Sequence, residues 1–540
     1  MKASINPFLS LIPKVFSFLL LIVGTKLLVS GALPSVPENM EWLSDVFPLP
    51  VIEISHLLGS LIGALLLFLA RGIHLRIDVA WYGSILLLAL GVIASLLRGL
   101  NWEDAGILAL MLILMLPAKQ YFRRRSPLLT IEFTPQWILL TAIMMIGAAW
   151  IGFFSFRHVE YSNDLWWQFS YKADAPRFLR ALLTVSIIVT FYALWRLTGI
   201  VRPHKADLPG RDEIDIAQAL AVQGTDPQAF LSLLGDKQFF WSETKRSFIM
   251  YATRSKYWIA MGNPVGDDRE FESLLWRFLE SADKAGAKPV FYQVSKQYLT
   301  LFMDIGLVLL KMGEEARVSL KDFTLEGKKR ANLRSGRNKL VKLDYSFEVL
   351  GPDDVRSQIL RLEEISNAWL AQKRSHEKGF SLGFFDPDYI VRTRVAVAKD
   401  PDGKIMAFAN IWELESREEL CIDLMRYDPD SPGGIMDYLF AELMLWGRQS
   451  DFNWFNLGLA PLAGLQRHEL APLWHKIGTA VYDTAEEFYN FDGVYKYKAK
   501  FEPEDWNPRY LAVPPGLRIP AVLLITSALI SGGWKEMFIK

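Results

Sequence analysis

Hydrophobic residues follow two regimes along the chain. Up to about residue 200 they form six long runs, roughly 9–32, 50–70, 79–97, 104–118, 136–156 and 179–200, separated by short polar loops. A helix rises about 1.5 Å per residue, so crossing a bilayer core takes about 20 mostly apolar residues. The run at 104–118 is the shortest. Lys14 and Lys26 interrupt the first run and no convincing small-residue cleavage site follows, so it reads as a retained helix rather than a signal peptide. Beyond residue 200 the pattern changes. A linker, VRPHKADLPGRD (201–212), holds two prolines and a glycine. Helical periodicity follows at 213–234. The stretch FFWSETKRSFIMYATRSKYWIAMGNPV then alternates around turn residues, as antiparallel strands do. A helix near 268–286 leads to a strand KPVFYQVS, and 301–320 mixes helical and strand signals.

A similar order recurs. A helix at 353–373 precedes strands VRTRVAVAKD and KIMAFANIWEL, joined by a turn at Pro401-Asp402-Gly403. The strand ELCIDLMRY, a helix from Gly434 to Gln449 and the strand NWFNLGLA follow. Hairpin, strand, helix, strand is the core order of the N-acetyltransferase-like (GNAT) fold. The expected architecture is therefore multidomain: an α-helical membrane block of about six transmembrane helices, then tandem α/β GNAT-like domains. The expected boundaries are a membrane block at 1–200, linker 201–212, first domain 213–326, basic connecting helix 327–342, second domain 343–512 and an interfacial C-terminal helix at 513–540. The usual acyl-CoA loop of that fold is missing. The matching stretches, YDPDSPGGIMD and MGNPVGDDRE, lack its glycine pattern and are acidic, which suits a pyrophosphate poorly. No cofactor is expected.

Charge sets the orientation. Arg71, His74 and Arg76 lie in one loop, Lys119 and Arg123–Arg125 in another, and Arg202, His204 and Lys205 after the sixth run. The opposite loop 33–49 holds only Glu38, Glu41 and Asp45. By the positive-inside rule this places both termini and the whole soluble half in the cytosol. The runs hold few ionisable residues, which favours an anchor over a transport path. Overall, 51% of the 540 residues are hydrophobic and the formal net charge is +0, so only local clusters can select a partner. The single cysteine, Cys421, excludes a disulfide framework, and the seven histidines show no metal-ligand spacing.

Six segments resemble one family in order and spacing: NDLWWQFSYKADAPRFLRA (163–181), GKKRANLRSGRNK (327–339), EKGFSLGFFD (377–386), IDLMRY (422–427), FNLGLAPLAGL (455–465) and FYNFDGVYKYKAKFEP (488–503). They look like the aminoacyl-phosphatidylglycerol synthases of the multiple peptide resistance factor family. That resemblance implies transfer of an amino acid, lysine or alanine among the donors, from aminoacyl-tRNA to the glycerol headgroup of phosphatidylglycerol. The product lowers the negative charge of the envelope and weakens binding of cationic peptides. Longer members carry an extra helical block that flips the product, and this chain is expected to lack it. Whether the chain forms a homo-oligomer is left open.

Transesterification from an activated ester to a primary alcohol needs positioning and stabilisation of a developing oxyanion. Asp423, inside an apolar strand, is the carboxylate expected to hold the donor's ammonium. Arg426 lies three residues on, and a regular strand would turn the two to opposite faces. A shared site requires the strand to end or bulge between them; the bland alternative is a structural ion pair. Lys498 resembles the family's third site residue, with the oxyanion or the phosphate as its target, though it shares its segment with Lys496 and Lys500. Tyr489 and Asn490 are candidates to orient the donor. His376 as a base and Cys421 as a nucleophile are weaker candidates, since no basic neighbour activates the thiol. Asp437 suits a helix N-terminus. Lys328, Lys329, Arg330, Arg334, Arg337 and Lys339 form a cationic stretch suited to tRNA phosphates or anionic headgroups, or to a solvated helix. The apolar run from Ile519 is short for a span and fits an interfacial helix. The rival readings are a tRNA-dependent peptidoglycan-bridge transferase and a lipid transporter with a regulatory soluble domain.

Overall fold

The computed structural model describes residues 11–32, 48–97, 101–122, 135–155, 178–187, 189, 207–373, 376–466, 468, 474 and 491–533. The chain divides into two compact units near residue 202.

The first unit is helical: α1 (Ile12–Ala32), α2 (Leu49–His74), α3 (Asp78–Leu97), α4 (Trp102–Met115), α5 (Pro135–Ser155) and α6 (Phe178–Ile187). Segments Ile12–Ser30, Ile54–His74 and Asp78–Leu97 are long and apolar enough to cross a membrane. Their outward residues, such as Phe18, Leu86 and Ile93, are exposed leucines, isoleucines and aromatics, as expected of a surface solvated by lipid. Charge inside the unit is paired. Asp104 is buried and accepts from Ser30 Oγ at 2.6 Å and Asn101 Nδ2 at 3.0 Å, with Lys26 Nζ at 3.1 Å.

The second unit is built on one mixed sheet. Helix α7 (Arg211–Gln223) ends at Gly224, and a 3-10 turn Pro227–Leu234 replaces the second half of the single helix expected there. Pro227 opens this turn, with Asp226 capping it through Gln228 N–H at 3.1 Å. The strands are β1 (Gln238–Trp241), β2 (Ser247–Arg254), β3 (Tyr257–Met261), β4 (Val265–Gly266), β5 (Lys288–Ser295), β6 (Val308–Ser319), β7 (Ser346–Leu350), β8 (Arg394–Lys399), β9 (Ile405–Glu413), β10 (Glu419–Tyr427), β11 (Trp454–Pro461) and β12 (Asp505–Val513). Between them lie α8 (Phe271–Lys284), α9 (Leu299–Asp304), α10 (Ala331–Val341), α11 (Pro352–Lys373), α12 (Pro387–Ile390), α13 (Ile435–Gln449) and α14 (Phe491–Ala499); α15 (Ile519–Ile530) follows β12.

The strand order is β1-β2-β3-β5-β12-β6-β11-β10-β9-β8-β7, with β4 on β2. Helix-separated parallel pairs, β3 with β5 and β10 with β11, mark the two halves, and all other neighbours are antiparallel. β12 lies between β5 and β6, so both halves share one continuous sheet. Alternation along β8 and β9 sorts side chains to two faces. Val395, Val397, Phe408 and Trp412 join one core with Phe230, Leu362 and Tyr389, whereas Ala396, Ala398, Ala409 and Ile411 join another with Leu439, Phe440 and Phe455. Fully burying the valine, leucine, isoleucine and phenylalanine side chains among these contributes about 1.5–3 kcal/mol each. The short apolar helix α15 is docked on the first of these cores through Val522, Ile525 and Leu529.

One local feature shapes the site. β10 and β11 pair in parallel over Glu419–Cys421 and Trp454–Asn456 only. β10 then shifts register against β9 between Ile422 and Met425, and β11 shifts against β6 between Asn456 and Leu459. Gly458 stands in that second irregularity at φ +79, a left-handed conformation that costs glycine little. The two strands thus part where Asp423 begins.

Candidate active site

The irregularity in β10 is the bulge that a shared site for Asp423 and Arg426 requires, and the two side chains lie within Coulombic reach of one another. Asp423 is held from two sides. Its Oδ1 accepts from Gly383 N–H at 2.9 Å and its Oδ2 from Tyr389 Oη at 2.8 Å. Tyr389 is fully buried, and its oxygen accepts from Trp412 Nε1 at 2.7 Å and Asn410 Nδ2 at 3.1 Å. Asn410 Oδ1 in turn accepts from Leu424 N–H at 2.7 Å. The bulge therefore keeps its backbone satisfied while the carboxylate is aimed away from the ladder. Desolvation raises the Asp423 carboxyl above its ordinary range, opposed by Tyr389, Gly383, Arg426 and Lys237.

The loop that supplies Gly383 is the EKGFSLGFFD segment. A Cβ at Gly383 would lie 1.6 Å from Asp423 Oδ2, so only glycine lets the loop approach this closely. Asp236 anchors the loop's other end, accepting from Phe380 N–H at 2.9 Å and pairing with Lys237. Lys237 is fully buried, and its ammonium interacts with Asp423 as well. Gly379 N–H donates to the carbonyl of Ile530 in α15 at 2.9 Å.

Arg426 stacks on Trp369 of α11, with its guanidinium carbon 4.2 Å from the ring centre. Its Nη2 pairs with Glu377 Oε2 at 3.2 Å, and Glu377 Oε1 accepts from Phe385 N–H at 3.2 Å. Among the described residues the buried Nε of Arg426 has no hydrogen-bond partner, a spare cationic donor in a preorganised fork.

Lys498 lies on helix α14, which separates the three lysines of its segment. Lys496 is exposed, Lys500 pairs with Asp437 in the first turn of α13, and Lys498 is half-buried against β11. Its Nζ donates to the carbonyl of Leu459 at 2.8 Å, beside the parting strands. Burial pushes this amine down to about 8, against the pull of Glu315 and Cys421. Cys421 is buried between these groups; desolvation and then Glu419, Glu315 and Asp423 push its thiol up, the reverse of what a nucleophile needs.

The remaining candidates separate from this cluster. Tyr489 and Asn490 lie outside the described residues, as does most of the 163–181 motif. His376 is exposed. In the basic stretch Arg330 precedes α10 and binds the Thr324 carbonyl and Glu504, Arg334 binds the Leu325 and Gly327 carbonyls, and Arg337 pairs with Glu442 at 2.7 Å. Lys339 reaches the Gly433 carbonyl at 3.1 Å, and Lys328 and Lys329 are exposed. Helix α10 packs on α13, on the opposite sheet face from Tyr389 and Trp412. The sequence reading gave no role to Tyr389, Asn410, Trp412, Gly383, Glu377 or Lys237. Glu377 and Gly383 stand inside a segment singled out above, whereas a tyrosine before a strand and a lysine after a turn carry no signal.

A single mixed sheet with two helix-separated parallel pairs, one of them parting over a buried carboxylate, a stacked arginine and a buried amine, defines a tandem GNAT-like transferase architecture. The family described as phosphatidylglycerol lysyltransferase, C-terminal, matches residues 217–513, over half of the chain, and the chain belongs to that family. It is 28% identical over 531 residues to a phosphatidylglycerol lysyltransferase of Bacillus subtilis (strain 168), covering 96% of this chain and 60% of that protein. It is 36% identical over 277 residues to one of Staphylococcus xylosus, covering 51% of this chain and 33% of that protein. The chain thus spans about three-fifths or less of the length of these relatives. Two solved structures share the fold of the second unit. The C-terminal domain of a candidate lysylphosphatidylglycerol synthetase from Agrobacterium fabrum is 40% identical with a TM-score of 0.54, covering 60% of this chain and 98% of that one. L-PGS from Bacillus licheniformis is 34% identical with a TM-score of 0.53, covering 61% and 99%.

Proposed function

We propose that the chain transfers an aminoacyl group, lysyl by preference, from aminoacyl-tRNA to a glycerol hydroxyl of phosphatidylglycerol. The reaction takes place at the cytosolic face of a bacterial inner membrane, and its product makes the envelope less anionic and protects it from cationic peptides. The observation that carries this reading is the bulge in β10, which joins Asp423 and Arg426 in one site beside the parted strands and Lys498. Membership of the lysyltransferase family supports it.

Asp423, fixed by Gly383 and Tyr389, accepts the donor's α-ammonium and orients the ester. Arg426, with its unpartnered Nε, and Lys498 supply positive charge where the tetrahedral oxyanion or the lipid phosphate lies. Tyr489, Asn490 and the exposed Lys328 and Lys329 are assigned to the donor, with Arg330, Arg334 and Arg337 shaping that surface. Incubating the purified protein with phosphatidylglycerol vesicles and a panel of labelled aminoacyl-tRNAs tests the reading. Label from one tRNA should enter chloroform-soluble lipid and vanish in Asp423→Ala. A folded wild-type protein that moves no label from any tRNA refutes it.

A further inference from the structure

A polar cavity of about 410 Å³, within the roughly 300–1,000 Å³ of small-molecule pockets, reaches β10 at Glu419, on the strand that carries Asp423. Its lining comes from β5, β6, β10 and β12 and the turn at Asp226, and includes Lys296, Glu315, Arg317, Glu419 and Arg509. Glu419 and Cys421 alternate on β10 ahead of its irregularity, and Cys421 packs in the same core as Tyr389, which holds Asp423, so the cavity and the Asp423 carboxylate lie toward one sheet face. Lys498 interacts with both Glu315 and Cys421, which ties the two places together.

The two glutamates differ in how well they are compensated. Glu315 is saturated: Arg509 Nη2 lies 2.9 Å from Oε2, Gln228 Nε2 donates to Oε1 at 2.9 Å, and Arg509 is held also by Asp226. Glu419 has Asn456 Nδ2, but its nearest cation, Arg317 Nε, is 3.8 Å away. Among the described residues that Nε has no hydrogen-bond partner, although the guanidinium stacks on Trp454 and its Nη1 lies 3.6 Å from Asp505. The cavity thus offers an under-compensated carboxylate next to a spare guanidinium donor, with Lys296 at its rim.

We propose that this cavity is the acceptor pocket and takes a glycerol phosphodiester, its hydroxyls on Glu419 and its phosphate on Arg317 and Lys296, with Glu419 as general base. The proposal rests on the reaction read above. In that step the acceptor hydroxyl oxygen attacks the ester carbonyl and its proton passes to the Glu419 carboxylate. The bond from the carbonyl carbon to the tRNA ribose oxygen then breaks, and that oxygen takes up the proton, returning Glu419 to its starting state. Burial, together with the neighbouring Glu315, pushes Glu419 up to about 7, opposed by Arg317, Asn456 and Arg509. A base near neutrality is suited to this transfer. Cys421 on the same strand and Asp226 across the cavity complete the ionisable surroundings.

Two measurements on the full chain test the proposal. In the first, soluble glycerophosphoglycerol is titrated calorimetrically into wild type and Arg317→Gln. In the second, transfer from lysyl-tRNA to phosphatidylglycerol vesicles is timed for wild type, Glu419→Gln and Glu419→Asp across pH 5.5–8.5, with melting curves as the check on folding. The headgroup should bind wild type and weaken at least about tenfold in Arg317→Gln. Glu419→Gln should lower kcat about a hundredfold or more, the scale of a lost general base. It should leave the KM for lysyl-tRNA unchanged and abolish the acid limb near pH 7, and Glu419→Asp should recover part of the rate. A headgroup that does not bind wild type, or that binds Arg317→Gln equally well, overturns the pocket. A folded Glu419→Gln within threefold of wild type overturns the base. Binding through Arg317 without any transfer by wild type upholds the pocket and refutes the reaction instead.

Discussion

Gly383→Ala adds one methyl group where the structure has no room for it. The new Cβ would sit 1.6 Å from Asp423 Oδ2 and 2.4 Å from its Cγ. Ordinary contact begins near 3.4 Å, so loop and carboxylate must separate by about 1.8 Å (3.4 − 1.6). That movement breaks the 2.9 Å bond from Gly383 N–H and disturbs the 2.8 Å bond from Tyr389. A hydrogen bond to a charged group contributes about 1.5–3 kcal/mol. If it is lost in the transition state, kcat/KM for the proposed aminoacyl transfer falls roughly 10- to 150-fold, at about 1.4 kcal/mol per tenfold. Overpacking adds about 1–3 kcal/mol of destabilisation, visible as a lower denaturant midpoint. Backbone strain does not enter, because Gly383 is outside the left-handed region. Gly433→Ala is the control: nothing lies within 4 Å of its Cβ position, and its activity should stay within twofold. The assay is label transfer to vesicles, with urea unfolding of the same preparations. Wild-type kcat/KM in Gly383→Ala would refute the claim that Asp423 depends on this loop.

Three further perturbations follow from the same geometry. Tyr389→Phe removes an oxygen that serves Asp423, Trp412 and Asn410 at once, leaving buried donors unpaired; it should cost about 1–3 kcal/mol in urea unfolding. Arg426→Lys keeps the charge but loses the stack on Trp369 and the guanidinium contact to Glu377; transfer should drop about tenfold or more while the fold, followed by circular dichroism, is retained. Lys498 should leave a mark on stability against pH. Its folded value is lowered from 10.5 to about 8, so between these values the unfolded chain binds the extra proton. Stability attributable to Lys498 therefore rises with pH through that window, and below about 8 the cost of burying the charged amine is fully in force. The difference in urea midpoint between wild type and Lys498→Met should change with pH across 8–10.5 in that sense and be flat below it.

Periodicity carried much of the fold. The strand KPVFYQVS coincides with β5 and ELCIDLMRY with β10, and the helix expected at 353–373 is α11. These segments have clean alternation or a long amphipathic face, so local pattern and tertiary burial agree. The helix expected at 213–234 breaks in two because Gly224 and Pro227 outweigh the apolar spacing. The place of β12 between β5 and β6 is a non-local pairing that no local pattern encodes. At the site, Asp423 stood out because an ionised group in an apolar strand needs partners, and the spacing to Arg426 demanded a bulge. The partners themselves were hidden. Nothing in the local sequence marks Tyr389 or Asn410, and Lys237 gains its meaning only from total burial beside Asp236. Glu419 opens β10, and only the cavity next to Arg317 distinguishes it.

The insertion of β12 bears on how the molecule is made. β5 and β6 cannot pair with each other in the finished sheet, because the strand between them is translated after every other described strand. During synthesis both must wait with open edges while the intervening segments emerge, and open edges are templates for unwanted pairing. Twelve described residues, three on β5 and nine on β6, take β12 partners only when that strand arrives. The same event seats Arg509 against Asp226 and Glu315. Completion of the cavity is thus coupled to the emergence of β12: a chain stalled or clipped before residue 505 would carry its helical unit and most of its sheet, yet leave the cavity without the wall that Asn507, Pro508 and Arg509 supply.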